Sequence, residues 1–299
     1  MHVKKSTDDR VLDIVVYTII TLFIIFIILP VIYLLGSSFV SNQELAAKRV
    51  VILPTRPTLS AYAAIFQANR DMLYGYMISI FRVAAGVPLH TFFNFICGYA
   101  LSRSDMPLKR FFAIFFFFSM MFNAGIIPYY LVVRSMGLFN NPLVYIIPGI
   151  IGSGSILLFR NNILSLPPAM LEAAEVDGAG EFTKIFRVAF PLCKAIIITV
   201  ALFSAVGHWN SWLDSFLFIT DSKLRPVQMV LRDILSRSTL ALAATGFNQT
   251  AMEQLRSSPP PSRAIQSAAV IMVMLPIMLV YPFLQKYFVK GIMVGAVKG

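Results

Sequence analysis

Three histidines occur in the chain, His2, His90 and His208. None stands at the close, paired spacing that a zinc-type ligand set needs, so the sequence predicts no metal site and a structural role for each ring. The run Gly178 to Lys184, GAGEFTK, superficially resembles a phosphate-binding loop. Thr183, however, stands where that loop requires its second glycine. Nothing here predicts nucleotide hydrolysis by the chain itself, and no paired carboxylates or nucleophile–base set points to an enzyme. Cys97 and Cys193 form no CxxC pair and read as small packing residues. The remaining polar chemistry lies inside or beside apolar stretches. Arg82 and Asp214 are charges in or near such runs, where charge is costly and often functional. Arg82 is also close enough to the end of its run for its stem to carry the guanidinium out to the interface, and this snorkelling is the favoured expectation. His208, Trp209 and Asn210 combine a ring for stacking with hydrogen-bonding groups. That combination suits a sugar, whose C–H faces lie on aromatic rings while its hydroxyls take polar partners, but it equally suits packing on a neighbouring helix. With Trp212, which also reads as an interface anchor, they and Arg82 are the candidate path residues.

The elements that must position these side chains are overwhelmingly apolar. Hydrophobic residues form 58% of the 299 and charged residues 13%, with a mean hydropathy of +0.76. Soluble domains devote about a quarter of their residues to charge. This chain therefore has too little polar surface to cover a water-exposed globule, whereas about 20 apolar residues cross a bilayer as a helix. Six runs have that character: 11–35, 76–101, 111–133, 142–159, 195–219 and 264–288. The first is too long for a signal-peptide core and is followed by no small-x-small cleavage site, so it reads as an uncleaved span. The runs do not alternate, which excludes barrel strands. The expectation is an all-α polytopic membrane helix bundle, six transmembrane helices in a single domain over 1–299. Gly149, Gly152 and Gly154 read as close helix contacts.

The formal net charge is +11. Basic residues are scattered between apolar runs and make no continuous face, so the expected partner is an anionic lipid bilayer and not a nucleic acid. Six spans put both termini on one side. With both inside, Lys and Arg divide about 13 inside and about 11 outside, too even a split to fix the orientation.

The stretch 166–191 between the fourth and fifth runs is different. Ser165 can cap a short helix whose first turn accepts Pro167 and Pro168. Alanines and Glu172 favour helix, Gly178 and Gly180 permit a sharp turn, and a second short helix from Glu181 ends near Pro191. A helix-turn-helix outside the membrane, lined with small residues, lets another protein approach closely.

Glu172-Ala173-Ala174, then Asp177-Gly178-Ala179, then Val188 and Pro191 resemble the EAA loop of binding-protein-dependent ABC importer permeases. Val188 and Phe190 replace the pattern's Ile and Leu, both apolar changes. Gly98-Tyr99-Ala100-Leu101-Ser102-Arg103 is similar to carbohydrate permeases of the MalG-like type. His208-Trp209-Asn210 and the tail YPFLQKYFVKGIMVGAVKG are similar to the LplC-like branch of that group.

The resemblance implies a cytoplasmic loop seated in a groove of an ATPase subunit. Glu172 would make polar contacts, Ala173 and Ala174 would allow close packing, and Gly178 would make the turn. It also implies a bacterial cytoplasmic-membrane location with both termini cytoplasmic and the 222–263 segment outside. The expected partners are a second homologous permease, two ATPase subunits holding ATP and Mg, and an extracytoplasmic solute-binding protein. This chain itself would bind no cofactor. Saccharide is the implied cargo. The positive charge and outward arginines point, as a narrower expectation, to acidic oligosaccharides such as alginate. A stand-alone secondary transporter, the competing class, would usually show internal repeats or acidic relays, and neither is visible.

Overall fold

The computed structural model describes residues 7–41, 44, 54–68, 70–244 and 262–296. His2, Lys48, Arg49, Arg256 and prolines 259–261 lie outside them. Every element among the described residues is helical. The chain divides into two compact units, Met1–Asn69 with Asp233–Leu275, and Arg70–Arg232 with Pro276–Gly299.

In the first unit, α1 (Thr7–Ser38) has 32 residues, about 48 Å at 1.5 Å per residue. It is apolar on every side and carries its large side chains exposed, Phe26 at 79%. A helix without a polar face needs lipid as its solvent. Beyond it the Phe39 ring lies 5.5 Å from Tyr62 on α2 (Ser60–Ala68), and Ser38 Oγ is 2.8 Å from the Tyr62 hydroxyl.

The second unit is built on α3 (Asp71–Ser102), whose buried residues Met72, Gly75, Ser79, Arg82 and Gly86 recur every three or four positions, with Asn94 and Gly98 further along. That period draws one stripe down the helix. The stripe is small where other helices cross it. A Cβ on Gly98 would stand 2.6 Å from Phe159 Cβ on α6 (Ser153–Leu164), and one on Gly75 3.1 Å from Val227 Cα at the start of α11 (Val227–Ala244). The close contacts expected at Gly149 and Gly154 are absent. Gly149 has nothing within 4 Å and Gly154 has only Met120 Sδ, at 3.6 Å, whereas Gly152 does abut His90. The tightest crossings belong to α3.

The apolar runs 111–133, 142–159 and 195–219 predict straight spans, and the structure bends or interrupts each. The first is α4 (Lys109–Met121) and α5 (Ile126–Ser135), bent by 118° at Gly125, whose φ of +85° suits glycine. The second is a 3₁₀ stretch, Pro142–Gly149, set at 45° to α6. The third opens at an 80° bend between α8 (Glu181–Leu192) and α9 (Lys194–Asn210). It stops at Ser211, and α10 (Leu213–Phe218) follows. Among the described residues three helices are long and apolar enough to cross a membrane, α1, α3 and the Arg263–Val280 part of α12 (Arg263–Ala296), or up to six if each bent pair is one span. Phe95, Tyr99, Phe159, Ile163, Ala189, Cys193, Ile197 and Val200 form the core that joins α3, α6, α8 and α9. Cys193 packs there as expected, 1% exposed.

Broken helices leave backbone groups that lipid cannot satisfy. Polar side chains of α3 supply the missing partners. Asn94, fully buried, donates to Ile150 O at 2.7 Å and accepts from Gly152 N at 2.8 Å. His90 Nδ1 lies 2.9 Å from Gly149 O, and its Nε2 lies 3.0 Å from Ser155 Oγ. A carbonyl only accepts, so Nδ1 carries the proton and Nε2 accepts from the hydroxyl.

Candidate coupling loop and membrane cavity

The loop begins with α7 (Pro168–Val176), which carries Pro168 in its first turn. Proline fits there because the first amide of a helix has no partner to lose. The expected Ser165 cap is not formed. Ser165 instead closes α6, its Oγ donating to Asn162 O at 2.6 Å. At the other end Ala179 N donates to Ala174 O at 2.9 Å and Gly178 N to Glu175 O at 3.0 Å. This pair is a Schellman closure, with Gly178 at φ +76° in the left-handed position that it requires. The Ala174-to-Gly178 spacing is thus a backbone requirement. Glu172, Ala173 and Asp177 are exposed, and Ala174 and Ala179 are half-buried. Val176 at 87% and Phe182 at 80% exposure flank the turn.

Within α8, residues Lys184–Ala189 form a π-helix. In an α-helix the ring of Pro191 would collide with the carbonyl four residues earlier, and the widened turn relieves that demand just ahead of it. The wide turn leaves Val188 half-buried and Pro191 exposed. It also carries Lys184, 4% exposed, into the core face. There Lys184 Nζ lies 2.7 Å from Glu181 Oε1 and 3.2 Å from Glu175 Oε2. Arg103 stands 3.7 Å from both carboxylates and 3.2 Å from Asp105. Tyr99 donates to Glu181 Oε2 at 3.0 Å. The hydrogen bond from Lys184, opposed by desolvation and aided by Tyr99 and Arg103, holds the Glu181 carboxyl below its ordinary range. The same bond raises Lys184 above its own.

A second polar cluster lies within the bundle. Arg82 is 3% exposed, which corrects the expected snorkelling: a carboxylate sits within reach, so the guanidinium stays inside. Its Nη2 donates to Asp214 Oδ2 at 3.0 Å, Nη1 to Ser211 O at 2.9 Å and Nε to His208 Nδ1 at 3.2 Å. Its face lies 4.8 Å from the Tyr145 ring centroid. Tyr129 of α5 donates to Asp214 Oδ1 at 3.0 Å. Arg82 and Asp214 thereby join the break after α9 to α3 and α5. With His90, Tyr129, Tyr145 and His208 they line a cavity of about 310 Å³, the lower end of small-molecule sites.

The other three candidate path residues lie elsewhere. Trp209 lines a separate apolar cavity of about 260 Å³ with Leu202, Pro276 and Ile277, because the 3.6-residue period turns it away from His208. Asn210 accepts from Gln228 Nε2 at 3.1 Å. Trp212 lies under the Arg232 guanidinium at 4.3 Å.

The chain as a whole has relatives among known proteins. Protein LplC of Bacillus subtilis (strain 168) is 37% identical over 272 residues, covering 91% of this chain and 90% of its own. The polygalacturonan/rhamnogalacturonan transport system permease protein YtcP of the same organism is 32% identical over 292 residues, covering 97% and 99%. The chain belongs to the carbohydrate branch of the ABC importer permeases. A structural relative of the permease is a chain in the crystal structure of a bacterial ABC transporter involved in the import of the acidic polysaccharide alginate. The two superpose with a TM-score of 0.82 at 28% identity, covering 96% of this chain and 99% of that one. No family model matches the sequence.

Sequence reasoning about the permease missed Tyr129 and Tyr145 at the cavity, and Tyr99, Arg103, Glu175 and Lys184 at the loop. One pairing was within its reach. Asp214 is the sole acid in the 195–219 run, and a charge within a span calls for an opposite one. The Lys184 cluster carries no such signal, since its members come from three helices.

Proposed function

We propose that this permease is one of two that enclose a saccharide pathway in the bacterial cytoplasmic membrane, with its 166–191 loop seated on an ATPase. Both termini are then cytoplasmic, two ATPases carry ATP and Mg, and an extracytoplasmic binding protein delivers cargo. The observation that carries the loop assignment is the Schellman-closed turn at Gly178, which presents Glu172, Ala173, Val176 and Phe182 to solvent beside the bundle. In uptake assays, Gly178→Asp and Glu172→Lys are expected to leave membrane insertion intact while ATP hydrolysis no longer drives transport. Normal uptake in both variants defeats the assignment.

The cargo we infer is an acidic oligosaccharide. The relatives named for polygalacturonan/rhamnogalacturonan transport and for alginate import support this, as does the +11 charge. Arg82 is matched by Asp214, so an acidic sugar is not held by a lone arginine in the cavity. Selection then falls to the binding protein, to the second permease and to long-range attraction. Competition by galacturonate oligomers and by neutral oligosaccharides of equal length tests the cargo, and equal potency of the two counts against it.

A further inference from the structure

A loop that receives force must hand it to helices, and the chain itself connects this loop only to α6 and α9. Helix α9 brings His208 to the cavity, whereas α3, which brings Arg82 and His90 to it, has no such chain connection: 82 residues separate Tyr99 from Glu181 along the sequence. Non-covalent contact has to bridge them. Apolar packing of Tyr99 with Ala189 and Cys193 supplies part of it. The ion cluster supplies the directional part: Lys184 joins Glu175 on α7 to Glu181 on α8 within the loop, Tyr99 of α3 donates to Glu181 at 3.0 Å, and Arg103, 3.7 Å from both carboxylates, adds ion pairing. Apolar surfaces slide over one another, whereas charge-assisted hydrogen bonds fix distance and angle. From Tyr99 the helix runs back 17 positions to Arg82, about 25 Å at the α-helical rise.

We propose that Lys184 is a positioning residue for energy coupling. By holding Glu175 and Glu181 in place it lets Tyr99 and Arg103 clamp the coupling loop to the C-terminal end of α3, so that displacement of the loop moves α3 and the cavity wall at Arg82. This rests on the coupling-loop assignment proposed above.

The nearly isosteric Lys184→Met keeps the packing and deletes the charge. Removing one partner of an ion cluster can cost stability, but Glu175 and Glu181 are both exposed and keep Arg103 beside them, so a merely structural role predicts at most a lowered thermal midpoint with unchanged coupling. The clamp predicts the opposite. In proteoliposomes holding both permeases, the ATPases and the binding protein, sugar moved per ATP hydrolysed falls about tenfold, the scale of one lost charge-assisted bond. Lys184→Arg restores most of it, and the thermal midpoint of the complex does not fall. If Lys184→Met does not assemble, Tyr99→Phe, which removes a single hydroxyl bond, carries the test with a smaller loss in the same ratio. A cysteine replacing Glu172, cross-linked to the ATPase, separates the two ideas. Cross-linking with an unchanged sugar-to-ATP ratio in Lys184→Met overturns the clamp alone. Failure to cross-link in the otherwise unaltered complex overturns the loop assignment, and the clamp with it.

Discussion

Arg82 and Asp214 show how one buried charge can be structural and still shape a cavity. Arg82 is buried beside three acceptors and the Tyr145 face. Breaking one side of such a pair leaves the other charge without compensation, at a cost of about 3–5 kcal/mol, whereas removing both is far milder. Arg82→Met and Asp214→Asn are each expected to lower the thermal midpoint of the detergent-solubilised protein, with the double variant recovering much of the loss. Additive losses in the double variant would show that the pair is not coupled. Asp214 was visible in the sequence as an acid near a span. Tyr129, which completes its hydrogen bonds from 85 residues away, was not, because a tyrosine in an apolar run carries no mark of its partner.

Among the elements, α3 stands apart because it stays whole while its neighbours break. Its His90 and Asn94 bind the exposed backbone of the fourth run, Arg82 binds that of the fifth, and Tyr99 and Arg103 bind the loop. The loop attachment is sensitive to pH. Glu181 is held below the ordinary carboxylate range in the folded protein, chiefly by Lys184. Its contribution is therefore complete above that ordinary range and is lost as pH falls through the depressed value. Lys184 is raised, so its share is complete at neutral pH and is lost only in strong alkali. Arg103, Asp105, Glu175 and Tyr99 complete the charged surroundings. Hydrogen exchange across 181–189, corrected for intrinsic rates, is expected to quicken on acidification from neutral pH. Glu181→Gln should flatten that response. A response unaltered by Glu181→Gln would assign it to another group.

For the molecule as a whole, the proposed coupling assignment sets an orientation that charge counting, whose two sides nearly balance, leaves open. The coupling assignment requires Val176 and Phe182 on the cytosolic side and Asp221 and Lys223 on the opposite one. Single cysteines at these positions in a variant lacking Cys97 and Cys193 give a direct test. Membrane-impermeant maleimide added to whole cells is expected to label positions 221 and 223 and to spare 176 and 182, which become reactive after the membrane is opened. Labelling of 176 and 182 from outside would remove any place for an ATPase.

By itself the sequence determined the solvent, the helical class and the loop. Each of these is written locally, in unbroken apolar runs and in the spacing of Ala174 and Gly178, which follows from the closure of a single turn. Tertiary structure alone decided where the runs bend and which polar residues meet. A bend inside an apolar run is tolerated only if its freed backbone finds partners. Those partners, Arg82, His90 and Asn94, come from a helix 56 to 129 positions distant, at separations that leave no local pattern to read.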